Sequence, residues 1–111
     1  MNKLAWNEFA KVDMRVGTIL EVLPFPKAKK PAYQLHIDFG EEVGILKTSA
    51  QITKRYLPHE LLNRQVVAVI NFPPKQIANF MSECLVLGAV QGEEVILLQP
   101  GSEVPNGLRI S

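Results

Sequence analysis

The chain has little of the chemistry that enzymes and metalloproteins depend on. It contains one cysteine and two histidines in 111 residues, and the spacing of Cys84, His36 and His59 forms no metal site. No serine stands in a nucleophile-elbow context, and the seven glycines are too dispersed to build a phosphate-cradling loop. We therefore predict a non-enzymatic protein with no catalytic residue, no metal and no cofactor.

Long apolar runs are also missing. No segment approaches the roughly 20 apolar residues of a membrane span, and the N-terminal stretch 1–8 has no apolar run of signal-peptide length. The single Cys84 excludes an internal disulfide framework and is expected to be a small buried side chain in a reducing compartment. We predict a soluble, cytoplasmic chain that does not insert into membranes.

The composition favours one independent domain. A chain of 111 residues with 47% hydrophobic content is large enough to bury its own core. We assign residues 1–111 to a single domain, with a helical N-terminal extension over 1–12. Residues 13–111 are assigned to a barrel and to C-terminal dimerisation strands.

The net charge of +1 conceals an uneven distribution along the chain. Between residues 44 and 75 there are five basic residues and only one acidic residue, Glu60, whereas residues 76–108 carry four glutamates and no basic residue. This pattern predicts one positive and one acidic face. The alternative is a scatter of solvated surface charges, and the sequence alone leaves both open.

Strand patterns dominate the first half of the chain. Apolar side chains alternate from Met14 to Val22 and from Tyr33 to Phe39, as expected for half-buried strands. A third strand is predicted near residues 43–47. Thr48 and Gln51 then form a capping-box pattern, which predicts a short helix with Ile52 and Tyr56 facing the core until Pro58 ends it. Phe39 is expected inside.

The later strands, predicted over residues 65–72, 84–90 and 94–99, are apolar on both faces. A small barrel covers one face of each strand, so the other face needs a second partner. We predict that a second copy of the chain covers it in a homodimer. The alternative is that the segment Trp6 to Val12 folds over that face within one chain.

Five or more short strands, one connecting helix and several tight turns predict an all-β protein: a small Greek-key OB-fold barrel with short N-terminal and connecting helices. The loop between the first two strands, residues 26–31, holds Lys27, Lys29 and Lys30 between two prolines. Such a cationic loop suits phosphate attraction. The alternative interpretation is a solvated turn.

The stretch from Asn71 to Gly88 has the pattern of a binding loop. An apolar strand runs into Pro73 and Pro74, and prolines stop a β-ladder and fix the backbone. Six side chains that follow should then be presented at a sheet margin without joining another strand: Lys75, Gln76, Asn79, Phe80, Met81 and Ser82. Phe80 is expected to be the best exposed aromatic residue; the alternative is that a loop folded over the barrel mouth buries it.

Four motifs resemble the tRNA-binding-domain family of OB-fold modules: Asp13-Met-Arg-Val-Gly17, Asn71-Phe-Pro-Pro-Lys75, Ser82 and Val104-Pro-Asn-Gly107. Further stretches at 31–35, 49–56 and 82–88 resemble the export-associated chaperones within it. The resemblance implies a homodimer of OB barrels that binds non-native or secretory polypeptides. It also implies a structural pair between Asp13 and Arg15, and places Asn71, Pro73, Lys75 and Ser82 towards a ligand.

Two functions follow as hypotheses. As a chaperone in protein export, with the export machinery as a further partner, the chain would bind peptides through Tyr33, Phe72, Pro73, Phe80, Met81 and Glu83. As a tRNA-binding protein it would use Lys27, Lys29, Lys30, Lys47, Lys54, Arg55, Asn71, Lys75 and Ser82. The family's usual Gly-Met after the loop serine is replaced here by Cys84-Leu85 following Glu83. A carboxylate there would repel phosphate, so this departure favours the peptide-binding hypothesis.

Overall fold

The computed structural model describes all 111 residues, Met1–Ser111. Ten short strands account for most of the regular structure: β1 Met14–Pro24, β2 Tyr33–Asp38, β3 Ile45–Ala50, β4 Gln65–Val69, β5 Lys75–Ile77, β6 Phe80–Ser82, β7 Leu85–Val86, β8 Gly88–Gln91, β9 Glu94–Leu97 and β10 Arg109–Ile110. Three four-residue helices lie between them: α1 Trp6–Phe9, α2 Gly40–Val43 and α3 Pro58–Leu61. None of these helices is long or apolar enough to cross a membrane.

The main sheet has the strand order β3-β2-β1-β4-β7, with β10 added to the start of β1. All its pairings are antiparallel. The long strand β1 pairs with β4 through its first half and with β2 through its second half, which lets one sheet curl around a core. The result is a nearly closed five-stranded barrel, which confirms the predicted all-β OB-type fold.

An irregularity in β1 changes which residues face the core. The register with β2 shifts between Ile19 and Glu21, the mark of a β-bulge. Ile19 is fully buried, whereas Leu20 is 43% exposed. The simple alternation predicted from Met14 to Val22 is therefore wrong at Leu20, because the bulged strand reverses the direction of its side chains.

The core fills the barrel interior. Its fully buried side chains come from four of the five barrel strands and from two connections, and include Val16, Ile19, Leu35, Ile37, Phe39, Leu61 and Val66. Phe39 is inside, as expected. Tyr56 is also buried; its hydroxyl accepts a hydrogen bond from the backbone N–H of Leu97, at 3.0 Å. The predicted inward positions of β2 at Leu35 and Ile37 are thus confirmed.

The helix predicted to begin after Thr48 lies further along the chain. Thr48 is the fourth residue of β3 and caps no helix, since that strand runs on to Ala50. The helix in this connection is α3, and Pro58 stands at its start instead of ending it. Proline suits the first helical turn because the missing N–H would have no partner there. Pairing of β3 with β2 outweighed the local capping pattern.

The apolar stretch after Cys84 is split between two sheets. β7 adds to β4, whereas β8 and β9 form a separate hairpin. The break falls at Leu87, and β8 begins at Gly88, where a Cβ atom would lie 2.9 Å from the carbonyl oxygen of Ile96. Val90 in this hairpin is 75% exposed, and α1 buries none of its residues, with Trp6 88% exposed. The N-terminal segment therefore does not cover the later strands within one chain.

Candidate functional site

The site is built at the seam where the barrel is not closed by a backbone ladder. β3 and β7 are the two ends of the main sheet, and side chains connect them. The Thr48 hydroxyl, which is almost fully buried, donates to the carbonyl oxygen of Cys84 at 2.6 Å. The Ser82 hydroxyl lies 2.8 Å from that of Thr48 and accepts from the backbone N–H of Ser49 at 3.1 Å. Hydroxyl groups thus bridge this part of the seam, next to one main-chain bond from the Glu83 N–H to the carbonyl oxygen of Lys47 at 2.8 Å.

Beyond these bridges the seam opens into a pocket of about 530 Å³, a size typical of ligand sites. We call it the seam pocket. Eight of its fourteen lining residues are hydrophobic, and the lining comes from the end of β3, the β5–β6 hairpin, β7 and β9: Ser49, Ala50, Gln51, Ile52, Phe72, Pro73, Lys75, Ile77, Ser82, Glu83, Cys84, Leu85, Val86 and Val95. Most of the lining is apolar, and its two charged residues are Lys75 and Glu83.

The stretch after the double proline forms a hairpin, contrary to prediction. β5 pairs with β6, so Lys75 lies opposite Ser82 and Ile77 opposite Phe80. Phe80 is buried, with only 8% of its surface exposed, so the expectation that it is exposed is wrong. Its ring packs against Phe25 with centroids 5.4 Å apart. This small second cluster is what fixes the hairpin to the barrel.

The side chains predicted to bind peptides divide into two groups. Phe72, Pro73 and Glu83 line the seam pocket. Tyr33, Phe80 and Met81 do not, and the Tyr33 hydroxyl donates to the carbonyl oxygen of Tyr56 at 2.8 Å. One carboxylate oxygen of Glu83 accepts the backbone N–H of Lys47 at 3.0 Å, so this side chain is oriented by β3.

The side chains predicted to bind RNA are also dispersed. Lys75 and Ser82 reach the seam pocket, whereas Lys27, Lys29 and Lys30 are exposed on the β1–β2 loop. The ammonium group of Lys47 lies over the Phe80 ring, 5.2 Å from its centroid.

Lys54 and Arg55 are not free cations. The Lys54 ammonium is 2.7 Å from the Glu93 carboxylate, and Arg55 is 3.7 Å from that of Glu94. A hydrogen bond from Lys54 lowers the pKa of Glu93. The acidic hairpin therefore lies against the predicted basic segment, and the two are not on separate faces here.

Asn71 has a structural role in place of the predicted ligand contact. Its side-chain amide donates to the carbonyl oxygen of Lys11 at 2.7 Å, and its carbonyl oxygen accepts the backbone N–H of Asp13 at 3.0 Å. Both halves of the amide are therefore used to hold the N-terminal segment against the end of β4. Asn71 does not line the seam pocket.

The predicted pair between Asp13 and Arg15 is present. The guanidinium donates to both carboxylate oxygens, at 2.6 and 3.3 Å, and its third nitrogen donates to the carbonyl oxygen of Gly107 at 3.1 Å. This hydrogen bonding lowers the pKa of Asp13. The pair joins the start of β1 to the C-terminal segment and makes no contact with the seam pocket.

Asp13→Asn should lower the free energy of unfolding by about 1–2 kcal/mol, because Arg15 loses its charged partner in a half-buried place. The pKa of Asp13 is lowered by folding, so its stabilisation is present above the unfolded-state pKa of about 3.9 and is lost as the pH falls through the lower folded value. Urea unfolding between pH 7 and pH 2 measures both effects. Glu41→Gln is the control, since Glu41 is exposed and makes no ion pair; equal losses in both variants would contradict the prediction.

Cys84 lines the seam pocket, but its thiol is unreactive. Burial raises the pKa of its thiol to about 12, so at neutral pH it is protonated and is a poor nucleophile. No group of three histidine, cysteine or acidic side chains is arranged to hold a metal ion.

Most of the residues that line the seam pocket were not predicted from the sequence. Ile52, Leu85 and Val95 line it although they were assigned to the core or to apolar strands. Ile77 also lines it, and no role was predicted for it. These residues line the pocket only because β3 and β7 are not paired with each other, and no local sequence pattern predicts that separation. The double proline was the one usable signal, because Phe72 and Pro73 do line the pocket.

The fold and the pocket together define a small OB-type binding domain. Residues 14–109 match the tRNA binding domain family, and the chain belongs to this family. Two solved structures are similar over their whole length. The chaperone CsaA from Bacillus anthracis is 50% identical with a TM-score of 0.94, covering 99% of this chain and 100% of that one. The CsaA chaperone protein from Picrophilus torridus is 52% identical with a TM-score of 0.92, covering 98% and 100%.

The curated relatives include much longer proteins. The methionine–tRNA ligase of Pyrococcus abyssi is 44% identical over 105 residues, which is 95% of this chain but only 14% of the ligase. The chain thus corresponds to a small part of such enzymes.

Proposed function

We propose that the chain is a non-enzymatic chaperone of the CsaA type, which binds apolar segments of non-native or secretory polypeptides in the seam pocket. The observation that carries the proposal is an open, mostly apolar pocket in a chain that is about half identical, end to end, to two CsaA chaperones. Apolar walls without a reactive group favour binding over chemistry.

The rim of the pocket also fits a polypeptide. Lys75 and Glu83 are its only charged residues, and neither takes part in an ion pair. One charge of each sign leaves the pocket nearly neutral, which suits mixed polypeptide sequences better than a phosphate backbone. The free oxygen of Glu83 is available to the basic residues of export signals.

Capture of bound material from cells tests the proposed function. The tagged protein is recovered gently, and its bound peptides and RNA are identified separately. Enrichment of unprocessed secretory precursors supports the chaperone function and a place in the cytoplasm beside the export machinery. Abundant tRNA with no peptide would contradict it.

A tRNA-binding function is the second candidate, and the family match and the ligase relatives favour it. Its surface would be the exposed lysine loop, since Lys27, Lys29 and Lys30 make no ion pair. This loop lies outside the seam pocket. Peptide and RNA binding therefore need not compete for the same residues.

Replacing Lys27, Lys29 and Lys30 together by serine tests this second candidate. If the loop contacts phosphates, tRNA affinity should fall and the slope of log affinity against log salt should become shallower by about 2, since each lost phosphate contact removes roughly 0.7–0.9. The double variant Lys54→Ser with Glu93→Ser is the control, because it removes a pair of opposite charges. Filter binding of tRNA at several salt concentrations gives both slopes, and identical slopes would exclude the loop.

We also propose that the chain forms a homodimer. Exposed apolar side chains on the later strands and at the N-terminus support it: Val90 is 75%, Trp6 88% and Leu4 65% exposed. A single chain leaves these surfaces in water, and a self-complementary contact would cover them.

Trp6→Lys should shift the monomer–dimer equilibrium towards monomer by at least tenfold, because a large aromatic anchor would be replaced by a charge. Sedimentation analysis over a concentration series measures the change. Lys3→Ala is the control in the same exposed segment. A wild-type chain that remains monomeric at high concentration would contradict the dimer.

A further inference from the structure

Two glutamates at the tip of the β8–β9 hairpin contact two basic residues of the connection between β3 and α3. The Lys54 ammonium is 2.7 Å from the carboxylate of Glu93. The Arg55 guanidinium is 3.7 Å from the carboxylate of Glu94. The four side chains are between 45% and 80% exposed, so they are open to a ligand, yet each charge is already matched by an opposite one.

These ion pairs lie next to the exposed lysine loop. β2 and β3 are antiparallel with Tyr33 opposite Ala50, so the loop that precedes Tyr33 lies beside the segment that follows Ala50. A hydrogen bond and the charge of Lys54 lower the pKa of Glu93, and the charge of Lys30 lowers it further. The lysine loop and the hairpin tip are therefore close enough to share one ligand.

Uncharged contacts hold the hairpin in this place. The Tyr56 hydroxyl accepts the backbone N–H of Leu97 in β9 at 3.0 Å, and the Tyr56 carbonyl oxygen accepts the hydroxyl of Tyr33 at 2.8 Å. One residue thus connects β9, the basic turn and the start of β2. Gly92, with a φ of +60°, makes the tight turn that carries Glu93. The contact between acidic tip and basic turn is therefore set by the fold as well as by the attraction of the charges.

We propose that the acidic tip of the β8–β9 hairpin is an intramolecular competitor of RNA: the carboxylates of Glu93 and Glu94 occupy the two cations of the basic turn and restrict phosphate contacts to the lysine loop. This inference rests on the second candidate function, tRNA binding, and adds its regulation. A carboxylate and a phosphate are both anionic acceptors for ammonium and guanidinium groups. The two anions therefore compete for the same donors.

The internal carboxylates have two advantages over a phosphate group. Each ion pair is exposed and individually weak, but the glutamates belong to the same chain and need not be brought from solution. A phosphate that displaces Glu93 must also approach Glu94, and the second carboxylate repels it. The hairpin tip thus withholds two cations that an RNA strand bound at the lysine loop would otherwise reach.

Replacing Glu93 and Glu94 together by glutamine tests the competition. The affinity for bulk tRNA at low salt should rise about three- to tenfold, and the slope of log affinity against log salt should steepen by about 1.4–1.8, since two further phosphate contacts add roughly 0.7–0.9 each. Filter binding over a salt series measures both. Glu41→Gln with Glu103→Gln is the control, because it changes the net charge equally at exposed residues without an ion pair; its slope should equal that of the wild type.

A further variant separates competition from simple repulsion of phosphate. It carries Lys54→Ser and Arg55→Ser in addition to the two glutamine substitutions. If the glutamates act by occupying these cations, the gain in affinity is lost in this variant and the slope returns to the wild-type value. A gain that persists without Lys54 and Arg55 means that the glutamates only repel phosphate, and it overturns the proposal.

Acetylation of lysines, followed by mass spectrometry, locates the contacts directly. In the wild-type protein, tRNA should protect Lys27, Lys29 and Lys30 from acetylation and leave the reactivity of Lys54 unchanged. In the double glutamine variant it should protect Lys54 as well. Protection of Lys54 in the wild-type protein overturns the proposal, because RNA then reaches this residue in spite of Glu93.

Failure of this inference is distinguishable from failure of tRNA binding. Wild-type binding that depends on the lysine loop, but keeps its affinity and slope when both glutamates become glutamine, overturns the competition alone. No binding of tRNA by any variant overturns the second candidate function and the competition together.

Discussion

Leu85→Glu should reduce peptide affinity by at least tenfold and leave the fold intact. Leu85 lines the seam pocket, and 49% of its surface is exposed. An apolar ligand that covers this position would have to desolvate the new carboxylate, and a penalty of about 1.4 kcal/mol already gives a factor of ten. Because the side chain is half in water in the free protein, the stability should change by no more than about 0.5 kcal/mol.

The control for this variant is Leu57→Glu. Leu57 is 57% exposed and lies outside the seam pocket, so it receives the same change of charge and hydrophobicity at a different place. Fluorescence titration with a dye-labelled, leucine-rich peptide of twelve residues and suppression of aggregation of heat-unfolded citrate synthase are the two measurements. If both variants bind and protect equally well, the ligand does not use this pocket.

Gly107→Ala should lower the free energy of unfolding by about 3 kcal/mol. Gly107 has a φ of +90°, which costs an alanine roughly 1–2 kcal/mol. Its added Cβ would also overlap the carbonyl oxygen of Phe39, a backbone atom that cannot rotate away. Overpacking of this kind adds about 1–3 kcal/mol.

Gly101→Ala is the matched control, because a Cβ at Gly101 meets nothing within 4 Å and the residue has no positive φ. It should leave the stability unchanged or raise it by up to about 0.5 kcal/mol through the unfolded chain. Thermal and urea unfolding of the two variants compare a packed glycine with a free one. A Gly107→Ala protein as stable as Gly101→Ala would mean that the C-terminal segment does not pack against Phe39.

The ion pair and the inward side chains of β2 were predictable because each depends only on residues that are close together in the sequence. The family resemblance implied the pair of Asp13 and Arg15, and it is local: Asp13 directly precedes β1, Arg15 is the second residue of that strand, and their side chains meet. Phe39 and the inward residues of β2 follow from a period of two in the sequence. Such features depend on chain geometry over a few residues.

Features that depend on two distant segments were not predictable in this way. Phe80 looked exposed beside two prolines, but Phe25, which is 55 positions earlier in the chain, provides a place for its ring. Lys54 and Arg55 looked like free cations until the β8–β9 hairpin brought glutamates to them. Thr48 had the pattern of a helix cap, but pairing of β3 with β2 extended the strand through it.

The sequence by itself determined an all-β barrel and the family of the chain, since the first follows from short periodicities and the second from motifs of a few residues each. Only the tertiary structure decided where a ligand could bind. The seam pocket lies where β3 and β7 share no main-chain ladder and are bridged by side-chain hydroxyls, while the strands between them in the sheet are joined by main-chain ladders. That separation is a property of the closed sheet as a whole, and no single segment encodes it.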